Sequence, residues 1–273
     1  MTGSNRFYGK YRGVVVGNSD TMGLGRLQIS CPSILGDGTS SWAMPCVPYA
    51  GPDVGFFALP PTGANIWIEF EGGDPDYPIW SGCFWGAGQA PEEASAILDT
   101  AAAHKVFKTE TVTILINDED DIGGITLEIK SPAVENDIKL VCDSAGVLLT
   151  VGEDVSSTMT AEDVTIAVGE DVSATMTAED VTIAIGEDTS IMLSADGIEM
   201  IGATESTLNL TSSEIEAANG DGSVKIESSA VTVAVSSSEG KWESSAIEIV
   251  NGSGSVKIES SGVNINNGAV EVQ

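Results

Sequence analysis

Between Thr150 and Ile185 the chain repeats itself. VGEDVSSTMTAEDVTIA runs from Val151 to Ala167, and VGEDVSATMTAEDVTIA follows at once from Val168 to Ala184, with Ser157 against Ala174 the one difference. A tandem copy this short cannot close a core of its own, so it demands an architecture in which units stack. The same frame sets Cys142, Met159, Met176, Leu193 and Leu210 seventeen residues apart, then Ile226, Trp242 and Ile258 sixteen apart. Over half of the protein is one repeated unit.

Within a unit, Val164, Ile166 and Val168 alternate with Thr165 and Ala167, and Val172, Ala174 and Met176 do the same after the Gly169-Glu170-Asp171 corner. That is the period of a strand with one apolar face. Valine, isoleucine and threonine fill the runs, while Gly, Asp, Glu, Ser and Asn hold the corners. One strand and one corner take about eight residues, which predicts about eighteen strands from Ile125 to the C-terminus. Such strands can stack as a single-chain solenoid or as three chains wound round one axis. The apolar supply of two or three Val, Ile, Met or Ala side chains per module suits a thin three-chain prism better. Val164, Ile166, Val168, Val172, Met176, Val181, Ile183 and Ile185 are then the expected trimer core.

The N-terminal third has another composition. Four of the five tryptophans (Trp42, Trp67, Trp80, Trp85), all four tyrosines and every proline except Pro91 and Pro132 precede residue 90. Different cores imply a boundary, placed at 1–88 for an N-terminal barrel, 89–107 for a linker and 108–273 for the repeats. The linker, AGQAPEEASAILDTAAAHK, suits a short helix or an extended segment. Forty-one acidic against eleven basic residues give a net charge of −30, which repels phosphate backbones and anionic lipid. Regular apolar alternation argues against disorder. The four cysteines lack CxxC spacing and read as buried free thiols. MTGSNRFYGKYRG has no apolar core and is not expected to be a signal peptide.

Strand-like runs at Gly13–Val16, Arg26–Cys31, Ala43–Val47, Asn65–Phe70 and Ile79–Phe84, each bounded by Gly, Pro, Asp or Asn, predict a closed five-stranded barrel of oligonucleotide/oligosaccharide-binding (OB) type. In the stretch from Gly63 to Gly82, Ile66, Ile68 and Phe70 alternate with Trp67 and Glu69, and Gly72–Pro75 reverse the chain. Asp74 and Asp76 flank a proline and read as turn-forming side chains rather than metal ligands.

The order GRLQISCPS, WAMPCVPYAG, PPTGANIWIEFEGGDPDYPIWSG resembles the OB domain of contractile-tail spike proteins: phage baseplate assembly protein V, the spikes of extracellular contractile injection systems, and the matching part of type VI secretion VgrG. KVFKTETVTILINDEDDIGGITLEI is similar to the strand pair that leads from barrel to needle in that family. The resemblance implies an all-β homotrimer: an OB-fold barrel followed by an intertwined triple-stranded β-helix needle that punctures a target envelope when a sheath contracts. It also implies a separate hub protein at the barrel end and a PAAR-repeat tip protein at the C-terminal end, on Ala269, Val270 and Val272. Inner tube, sheath and baseplate are indirect neighbours and the target envelope a transient one. Assembly in the cytoplasm into a phage-tail-like particle follows.

Chemistry has little to stand on. His104 is the one histidine, reads as a solvated linker residue, and has neither triad nor zinc partners nearby. GxSxG, P-loop and dinucleotide motifs are missing, so no enzyme, cofactor, metal or nucleic acid is expected. The acidic cluster Asp118–Asp121 reads as a solvated turn. The alternative function is a calcium-binding single-chain β-solenoid adhesin.

Overall fold

The computed structural model describes residues 5–95, 101–266 and 270–272. It divides into Met1–Glu92 and Glu93–Gln273.

In the first unit, strands Tyr11–Gly17, Leu27–Ser30, Ser40–Pro45, Asn65–Phe70 and Pro78–Cys83 close into a five-stranded barrel. All neighbours are antiparallel except Ser40–Pro45 and Pro78–Cys83, which pair in parallel at Met44–Ile79 and Pro45–Trp80. The alternation of Asn65–Phe70 does what its pattern dictates: Ile66, Ile68 and Phe70 go inside, with Val15, Leu27, Ile29, Cys31, Ala43 and Trp80. Gly13 has no room for a side chain, since a Cβ there would lie 2.1 Å from Ile68 Cδ1 and 2.7 Å from the Ser30 carbonyl oxygen. Outside, Trp67 and Phe84 pack at 4.7 Å under the Arg12 guanidinium. At the reversal, Asp74 accepts from the Asp76 amide at 3.2 Å and pairs with Arg6 at 3.2 Å. Its turn-forming role is therefore observed.

The second unit is one continuous antiparallel ladder. Eighteen strands run from Gly124–Ile129 to Val270–Val272 among the described residues, the number read from the repeat, and His104–Lys108 and Val112–Asn117 precede them. The segment before the ladder holds one helical turn, Glu92–Ser95, and a short 3-10 turn, Ala101–Ala103. Each strand pairs with the next, and two kinds of tight corner recur in the tandem copy. At the Gly-Glu-Asp corners, Gly169 and Gly186 take φ of +66° and +65°, a conformation glycine adopts without strain. Their amides donate to the carbonyls of Asp154 and Asp171, each at 2.6 Å. These corners are thereby tied to the same-side corners before them. At the Thr-Ala-Glu-Asp corners, Thr160 Oγ1 accepts from the amides of Glu162 and Asp163 and donates to Asp163 Oδ1 at 2.7 Å; Thr177 repeats the pattern with Glu179 and Asp180. The hydroxyl closes the turn on its own backbone.

Among the described residues, ladder bonds are made between consecutive strands of the chain. Two expectations change here. His104 is no solvated linker residue: it starts a strand paired with Asn117, its side chain is 6% exposed, and Nε2 sits 3.7 Å from Glu119. Of the four free thiols only Cys31 is buried, while Cys46 and Cys83 are exposed and Cys142 half-buried.

Candidate assembly surface

Registers across the ladder place the eight expected core residues on one face. Val168, Val172 and Ile185 stand side by side in one row, Ile166, Ala174 and Ile183 in the next, and Val164, Met176 and Val181 in the third. In-register pairing carries these rows far beyond the repeat. The third continues through Leu193, Ile198, Leu210, Ile215, Ile226, Val231, Trp242, Ile247 and Ile258. The first row changes character after Ile185, where Thr189, Ser206, Asn219, Ser238 and Asn251 replace most of its apolar side chains. The apolar face thus narrows from three rows to two.

Nothing covers this face. Val181 keeps 36% of its surface open and Ile185 58%, and beyond Glu93 only Ala230 and Ala246 are buried among the described residues. The chain exposes 18280 Å² in all, whereas a folded monomer of its 28.1 kDa mass would expose about 11000 Å² by size scaling. An open apolar surface of that extent marks an interaction face.

The opposite face is polar and self-satisfied. Thr165 and Thr175 share a hydrogen bond at 3.2 Å. Lys225, Lys241 and Lys257 each hold a neighbouring carboxylate, at 2.8 Å to Glu214, 2.7 Å to Glu243 and 2.8 Å to Glu259. Those hydrogen bonds raise all three lysines above the ordinary amine value, so the lysines stay charged. At the head of the ladder, Lys105 pairs with Asp118, and Lys108 pairs with Glu93, lowering the Glu93 carboxyl.

No group of three or more His, Cys, Asp or Glu side chains among the described residues is placed to hold a metal, and none of the described helices is long and apolar enough to cross a membrane. On the barrel, a groove of about 730 Å³ lies between Leu24, Val47, Tyr49, Phe56, Phe57 and Trp80. The aromatic, Gly- and Pro-rich loop that lines it carried no periodic signal, so sequence reasoning missed it. Asp20 braces the adjacent loop by accepting from the amides of Met22, Leu24 and Arg26 and pairing with the Arg26 guanidinium at 2.7 Å. Those bonds, Arg26 foremost, hold its carboxyl well below the usual range.

Of the C-terminal residues expected to bind a tip protein, Val270 and Val272 pair with Ile265 and Val263 along the backbone; Ala269 lies outside the described residues. Residues 11–85 match the family of the type VI secretion system/phage-baseplate injector OB domain. No curated protein matches the chain.

Proposed function

Because residues 11–85 belong to the baseplate injector OB domain family, a structural baseplate family, we propose that this chain is the central spike of a contractile injection machine. Three copies share their apolar ladders as a common core, and the ladder half is the needle that pierces a target envelope on sheath contraction. The observation that carries this reading is the uncovered apolar face. A single ladder has no second layer to cover this face, so in a lone chain the three rows stay wet. Packing three ladders with these faces inward removes them from water and leaves the Lys and Glu face outside. A hub protein seats the barrel end, a PAAR-repeat tip protein caps the C-terminal strands, and the particle is phage-tail-like. The nearest-neighbour hairpins give no support to a coiled single-chain solenoid with bound calcium. In particles assembled with a chain truncated after Glu110, sheath contraction should proceed while leakage of the target envelope is lost; undiminished leakage would refute puncture by this chain.

A further inference from the structure

A repetitive ladder is easy to misalign. Val151–Ala167 and Val168–Ala184 differ at one position, and each repeat spans two strands, so sliding one chain past another by a repeat moves it about 9.6 Å. Valine and isoleucine then meet valine and isoleucine again, and register is weakly specified where the pattern is uniform.

Among the sixteen-residue repeats, one pair of residues departs sharply in size. Trp242 occupies the row otherwise held by Ile226, Val231, Ile247 and Ile258, and in the adjoining row Gly240 stands between Val233 and Ile249. A Cβ on Gly240 would lie 2.8 Å from Trp242 Cη2 and 3.1 Å from Cζ3. The indole thus lies back over the glycine, in space that Val224 and Val256 fill at the levels one repeat away. It remains 41% exposed on the uncovered face.

We propose that Gly240 and Trp242 are a register key, and that the partner they fit is the same pair in two further copies of this chain. The inference rests on the reading of the ladder as a shared three-chain core. In register, three indoles meet at one level, each with a glycine beneath it. A chain displaced by one repeat sets its indole against the levels of Ile226 or Ile258, where valine occupies the adjoining row, and leaves a gap at its own level. Overfilling and cavity formation both destabilise a packed interior, so the aligned arrangement alone escapes both. A single odd residue fixes coiled-coil register by the same logic.

Pulsed electron spin resonance tests this on the full chain, with Cys31, Cys46, Cys83 and Cys142 replaced by alanine and a spin label attached through S253C on an exposed corner. Native mass comes first: a monomer overturns the shared core itself, independently of the key. Given a trimer, Gly240 and Trp242 intact should yield one distance population. The G240V/W242I chain should add a second, from copies displaced by about 9.6 Å. Moving the key by one repeat, with V224G/I226W added to G240V/W242I, should restore one population. A single population in G240V/W242I, or a mixture that persists after the key is moved, would overturn the proposal.

Discussion

Ile183→Asp puts the largest strain on the proposed core. Ile183 lies in the middle row between Ala174 and Ile191 and is 44% exposed in the single chain. Covering that remainder is worth about 1 kcal/mol per chain, a fraction of full isoleucine burial. An aspartate there must enter an apolar interior uncharged, and holding a carboxyl of ordinary pKa neutral at pH 7 costs about 4 kcal/mol. Together the loss is about 5 kcal/mol per chain and about 15 kcal/mol per trimer, beyond what a typical assembly can absorb. Ile183→Ala loses burial and leaves a cavity but brings in no carboxyl, so it should weaken the trimer less than Ile183→Asp. Thr182→Asp adds the same charge to the opposite face, beside Thr175 and Met192, and should leave assembly intact. Sedimentation velocity at micromolar concentration should show trimers for wild type, Ile183→Ala and Thr182→Asp, and no trimer for Ile183→Asp. A trimeric Ile183→Asp chain, or a Thr182→Asp chain that falls apart equally, would refute the assignment of faces.

Chelation by EDTA should leave the melting temperature unchanged; a fall of many degrees reversed by calcium would favour an ion-dependent fold. Negative-stain images of the assembled protein should show a rod of about 85 Å for eighteen strand layers, and a rod under about 60 Å would contradict end-to-end stacking of strands. Asp20→Ala should lower the barrel's melting temperature by several degrees. Because the Asp20 carboxyl is depressed in the folded state, its contribution is complete above the unfolded carboxylate range and fades as pH falls below about 4. Wild type should therefore lose more on acidification than Asp20→Ala, and equal losses would show the bonds to be inert. Deleting Asn264–Gln273 should spare the trimer and abolish tip-protein binding; retained binding in a pull-down would place the cap elsewhere.

Much of the fold was legible because period is a local property. Ile66, Ile68 and Phe70 against Trp67 and Glu69 gave both the bounds and the inward face of that strand, and the repeat gave the number of strands. Pairing partners were not legible. Strands as alike as Val164–Val168 and Val181–Ile185 satisfy the same ladder whether the neighbour comes from the same chain or another, so alternation cannot choose. His104 was misread because its surroundings are non-local: Glu119 reaches it only after Val112–Asn117 has turned back beside His104–Lys108. The eight expected core residues share one face because side-chain alternation sets it, whereas the Tyr49–Phe57 groove depends on how an aperiodic loop settles on the barrel.

Native mass of the purified full-length chain, from micromolar to nanomolar concentration, bears most directly on the shared apolar core. A species of about 84 kDa, three chains of 28.1 kDa, that persists on dilution is the predicted result. A stable 28.1 kDa monomer that keeps its strand signal and stays soluble would contradict it, since the rows from Val164 to Ile258 would then be at rest in water.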